Sequence, residues 1–251
     1  MQSPLFAHND QQTQERWSLQ NKQMLRVALE GHDDILARKG SMIAYQGLVE
    51  FDAEYQSHGQ ALNRARTGEG LDLMRCHGQG TVYLANLAQH IHLMDVDHGG
   101  LTVDSSYVLA TDSSLHHEVI AVDSLYGISG SGKYQLNITG QGKVALMTSG
   151  MPLLMQVTPD TYVNCDADAI VAWSTGLRVQ MQAQTHSSGV WRRRGSTGEG
   201  WELSFMGSGF VLVQPSELLP PQNAQIGSGL AAQYGMGQQG ARGQNQGNVW
   251  S

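Results

Sequence analysis

The chain has 251 residues, 40% of them hydrophobic and 15% charged, enough for a substantial core in one large domain or two ordinary ones. Its 22 acidic against 15 basic side chains leave a net charge of −7, which disfavours a surface built to track phosphates. No run of about 18 apolar residues is present to span a bilayer, and residues 1–23 lack the charged-then-apolar pattern of an export signal.

Residues 1–23 are rich in Gln, Asn and Ser and are predicted to form a mobile or loosely docked arm, with a short helix at 14–25. From residue 24 onward the pattern is strand-like. Alternation at period two runs through Arg26-Val-Ala-Leu29, Tyr134-Gln-Leu-Asn-Ile138 and Trp201-Glu-Leu-Ser-Phe205, so side chains of one parity face a core. Gly, Asp and Ser turns separate the runs, the habit of a β-sandwich or barrel. Residues 24–219 read as a single all-β domain. Residues 220–251, mostly Gly, Gln, Ala and Asn, carry too little apolar surface to offset ordering entropy and are predicted to be a disordered tail.

One stretch recurs. Thr139-Gly-Gln-Gly-Lys-Val-Ala-Leu146 returns as His77-Gly-Gln-Gly-Thr-Val-Tyr-Leu84 and more loosely as Met206-Gly-Ser-Gly-Phe-Val-Leu-Val213. The first two align at an offset of 62, Gly142 minus Gly80, which also pairs Asp104 with Asp166 and Ala110 with Ala172. A fixed period of this size marks a repeated supersecondary unit. Early residues match the back of the unit (Val27 with Leu93 and Met155, Ile43 with Leu109 and Val171), and late ones its front (Leu203 and Phe205 with Leu136 and Ile138). The expectation is three repeats in a pseudo-threefold arrangement, the third shared between the two ends, with the chain after Val213 lying beside Met24. Segments 47–66 and 183–195 read as insertions between units.

Several motifs invite chemistry. Gly127-Ile-Ser-Gly-Ser-Gly-Lys133 has phosphate-loop spacing, but Tyr134 replaces the hydroxyl that would hold Mg²⁺, and a strand follows where a helix is required. His90-Ile-His92, near Asp95, Asp97 and His98, would put two imidazoles on one strand face, a conceivable metal site. Parity sends Ile91 and Leu93 to the core and both histidines to the exposed face. His116-His117-Glu118 places its histidines on opposite sides of a strand. Asp104 and Asp166 recur at matched positions, as turn formers do. Arg192, Arg193 and Arg194 read as a solvated loop, and Cys76 and Cys165 as small buried hydrophobes in a reducing compartment. No catalytic, cofactor or metal residue is assigned.

Gly40-Ser-Met-Ile-Ala, the Gly-x-Gly-x-Val strands, Asp166 before Ile170-Val-Ala-Trp173, Gly198-Glu-Gly200 and Gly209-Phe-Val-Leu-Val-Gln-Pro215 together resemble the altered-inheritance-of-mitochondria family over residues 24–217. The resemblance implies three double-stranded β-helix units similar to tryptophan RNA-binding attenuation protein. It supplies no catalytic residues, and eukaryotic members are associated with the inner mitochondrial membrane and its respiratory complexes. Lacking a targeting peptide, this sequence fits a bacterial cytoplasmic protein. The expected function is a non-enzymatic scaffold or interaction protein with a protein partner, a place beside a membrane complex and homo-oligomerisation both remaining open. The alternatives are a small-ligand or RNA-binding module and a cupin-like metal-dependent enzyme through His90 and His92.

Overall fold

The computed structural model describes residues 2–10, 13–53, 72–97, 99–121, 134–183 and 201–216. The phosphate-loop spacing at 127–133, Gly198-Glu-Gly200, the arginine run, most of both insertions and the tail lie outside the described residues, as does His98. A 3₁₀ turn, Pro4–His8, precedes β1 (Trp17–Asn21). A first span, residues 24–84, holds β2 (Met24–Glu30), β3 (Ile35–Arg38), β4 (Met42–Ala53) and β5 (Leu73–Leu84). A second, residues 90–148, holds β6 (His90–Val96), β7 (Leu101–Val103), a 3₁₀ turn (Ser105–Tyr107), β8 (Val108–Asp112), β9 (His116–Ala121), β10 (Tyr134–Thr139) and β11 (Gly142–Thr148). The third, residues 153–213, holds β12 (Leu153–Val157), β13 (Val163–Asp166), β14 (Ile170–Ser174), β15 (Arg178–Ala183), β16 (Trp201–Met206) and β17 (Gly209–Val213). Every strand pairing among the described residues is antiparallel, and those residues are all-β apart from the two 3₁₀ turns.

One pairing scheme runs through all three spans. In the first, the second half of β5 lies between β2 and β4, and its first half between β3 and β4. In the second, β11 lies between β6 and β8, and β10 between β7 and β9. In the third, β17 lies between β12 and β14, and β16 between β13 and β15. Two more pairings tie neighbouring spans: β3 to β8, and β7 to β14.

This pairing corrects the expected frame. Residues 201–213 complete the span immediately before them, and β2, β3 and β4 are completed by β5, so no span is shared between the two ends. A tandem sequence has no intrinsic start, and matched residues alone leave its phase open. Only the hydrogen bonds show that each front piece belongs with the back piece preceding it.

Two further expectations give way. Residues 14–25 form no helix: β1 hairpins onto β2, and the turn is tightened by Gln23 N donating to Asn21 Oδ1 at 2.8 Å. Nor is this region a loose arm. Trp17 is 3% exposed in the first core, its Nε1 donates to Asp112 at 3.1 Å, and the Arg16 guanidinium also reaches Asp112. Finally, 47–53 is no insertion but the continuation of β4, paired along β5 to Ala53.

Candidate functional site

A cavity of about 360 Å³ opens between the second and third spans, near the lower limit for small-molecule sites. The end of β6 (Met94, Asp95, Asp97) forms one wall, and Ser174, Gly176 and Phe210 form another. A chain of polar side chains adjoins the lining residues Leu101 and Ser174 in sequence. Thr102 Oγ1 lies 3.1 Å from Thr175 Oγ1, which donates to Asn137 Oδ1 at 2.8 Å, while Ser174 Oγ accepts from Phe210 N at 3.1 Å. Gly100, at φ +72°, lets the backbone pass close by, since a Cβ there would sit 3.0 Å from Thr175 Oγ1. Asp97 caps its own turn through Gly99 N at 2.9 Å, and Lys143 Nζ holds Asp95 at 2.5 Å. The described lining carries two carboxylates and no cation, a poor cradle for phosphate.

Of the histidines singled out by sequence, His92 and His117 each meet a threonine hydroxyl, whereas His90 Nδ1 is buried without a hydrogen-bond partner. Ile91 is 2% exposed, with His90 and His92 on the other face of β6, half-buried rather than open. His92 Nε2 lies 2.8 Å from Thr148 Oγ1, and burial, then the neighbouring His90, hold its pKa below the usual imidazole value. His117 Nε2 lies 3.2 Å from Thr111 Oγ1; burial pushes its pKa down to about 4, with His116 adding to the shift. Asp104 Oδ1 accepts from Ser106 N at 2.8 Å, and Asp166 Oδ1 from Asp168 N at 2.7 Å. Both are the turn formers their matched positions suggested. Cys76 and Cys165 are free and buried within strands, and burial raises their thiols to about 12 and about 11.

The sequence reading passed over two features. Glu30, His32 and Asp33 bring one ligand atom each within 4.8 Å of one another, yet Asp33 already meets His32 at 3.4 Å and Arg16 at 3.9 Å. Gln214, 4% exposed, takes Ser149 N at 2.9 Å and donates to Tyr107 Oη at 3.0 Å, joining the second and third spans. No local pattern flags a lone Gln after a strand; only its burial reveals its role.

These features define an all-β protein built of antiparallel strands. The chain belongs to the mitochondrial biogenesis AIM24 family, which it matches over residues 17–216, starting where β1 starts. It is 28% identical over 124 residues to an uncharacterised protein of Streptococcus pyogenes serotype M6, and the match covers 49% of each, so the chain spans about half the length of that curated relative. Its fold is similar to that of a Streptococcus pyogenes protein solved by X-ray crystallography, with a TM-score of 0.62, 20% identity, and coverage of 80% of this chain and 92% of that one. Among the described residues no helix is long and apolar enough to cross a membrane.

Proposed function

We propose that the protein is a non-enzymatic scaffold or interaction module whose three spans are copies of one unit similar to tryptophan RNA-binding attenuation protein. The observation that carries this reading is the apolar edge at the start of the third span. Met151, Leu153 and Leu154 are 60%, 59% and 47% exposed, and β12 is paired only with β17 among the described residues. Contiguous exposed apolar side chains on a sheet edge are a surface for a partner. The partner is a protein, and a position beside a membrane complex is compatible with such an edge. Two buried free thiols fit the reducing cytoplasm. The test is capture from the native host with wild type and a Leu153→Glu, Leu154→Lys double variant. Wild type retains a stoichiometric protein that the folded double variant loses; equal retention by both discards the reading.

A second reading rests on the cavity. Its two carboxylates, Asp95 and Asp97, and the hydroxyls of Ser174 and Ser208 favour a neutral or cationic small ligand over RNA. Thermal-shift screening should then find stabilising compounds whose effect Ser174→Leu abolishes, whereas RNA association should be weak at every salt concentration. The cupin-like metal reading rests on His90 and His92 alone, and elemental analysis of untagged, reconstituted protein decides it.

A further inference from the structure

The first two cores are each finished by the span that follows. Leu109 and Ala110 of β8 sit in the first core with Val27, Ile35 and Val82, and Val171 and Ala172 of β14 sit in the second with Val103, Leu136 and Ile138. A bulge delivers them. The register slips at Leu109 against β11 and at Val171 against β17, re-aiming one extra side chain into the preceding span, and both residues are 0% exposed.

The same slip occurs at Ile43 in β4, but among the described residues no earlier span receives it. Ile43 is 55% exposed, and residues 42–46 are exposed throughout, whereas β8 is buried throughout. At the far end no complement is found among the described residues. β13 pairs with β16 alone among the described residues, on the edge where β3 and β7 carry β8 and β14. Among the described residues the third core gathers 9 buried residues against 15 and 13 in the others, and none comes from a following span.

We propose that β4 of one copy of this chain pairs antiparallel with β13 of a second copy, seating Ile43 and Ala44 on the third core and building a head-to-tail assembly. A second copy is the occupant because the two bare edges are the separated halves of a junction that this chain already makes twice. Those junctions also dictate the register. Ile35 faces Asp112 and Leu101 faces Ser174, while Ala37 faces Ala110 and Val103 faces Ala172. Carried to the ends, Val163 faces Gln46, Asn164 faces Tyr45 and Cys165 faces Ala44 of the second copy. The contact joins two different surfaces, so it either closes into a ring or extends. It uses neither β12 nor the cavity and stands apart from the function proposed above.

Sedimentation velocity of the full chain over a wide concentration range, combined with cross-linking, tests it. The average mass should at least double as concentration rises, and Ile43→Glu, a change at an exposed position, should hold the chain at the monomer with its melting temperature unchanged. For the register, Tyr45→Cys and Asn164→Cys chains are mixed and oxidised, since facing strand residues stand about 4.5–5.5 Å apart at Cα, within disulfide reach. The native thiols are buried and slow to compete. A covalent dimer from the mixture, absent from either variant alone, is the expected result. A chain that stays monomeric, a mass increase that survives Ile43→Glu, or a chain carrying both Tyr45→Cys and Asn164→Cys that on oxidation links only within itself overturns the proposal. The last outcome would mean that the chain closes on itself.

Discussion

His117 shows how burial turns one side chain into a pH liability. Its ring is held against Thr111 inside the second span, with a pKa of about 4 against an ordinary 6.5. Between those values the unfolded chain binds a proton that the folded chain refuses. Stability therefore falls as pH drops from about 6.5 towards about 4, then levels off. His92, shifted in the same direction, adds to that slope. His117→Gln should flatten the pH dependence of the melting temperature across this window; an unchanged slope would show that the ring is solvated. The adjacent pair of histidines was legible in sequence, but which one turns inward was not, because that depends on Thr111 across the turn. Gly78, Gly140 and Gly207 were more legible. Their φ angles of 108°, 112° and 121° show why the matched motif keeps glycine at this position. At Gly78 a Cβ would also lie 2.2 Å from Leu48 O, where β4 runs against β5.

Strand β1 is the element that sequence missed most clearly. Its polar neighbours mask a single buried aromatic, and a short segment between Gln-rich stretches carries too little alternation to reveal a strand. What makes it a strand is tertiary: Trp17 fills the first core, and the preceding Arg16 meets Asp112 of β8. Asp112 also accepts from Lys143 N at 2.6 Å, so one carboxylate fastens the N-terminal strand to two strands of the second span. Trp17→Ala should cost about 3–5 kcal/mol in urea unfolding, as loss of a buried large aromatic does. A loosely docked arm would lose less than about 0.5 kcal/mol, as typical surface substitutions do. The strands around the Gly-x-Gly motifs were easier to read, since alternation and turn chemistry agreed there.

Across the whole molecule, the repeat in the sequence identified which residues correspond but not which segments fold together. Ile43, Leu109 and Val171 were matched by spacing alone, yet two are fully buried and one is half exposed. The difference lies in whether a span stands before the strand that carries them, a fact of pairing that no single residue records. The cavity was likewise hidden, because its walls come from segments about 80 to 115 positions apart, Asp95 against Ser174 and Phe210. If the strand that follows finishes each core, matched side chains must differ in energetic weight according to position in the series. Denaturant unfolding of dilute Leu109→Ala and Ile43→Ala chains measures this directly. Leu109→Ala should cost about 2–5 kcal/mol and Ile43→Ala about 0.5 kcal/mol or less. Equal losses at the two positions would contradict the account.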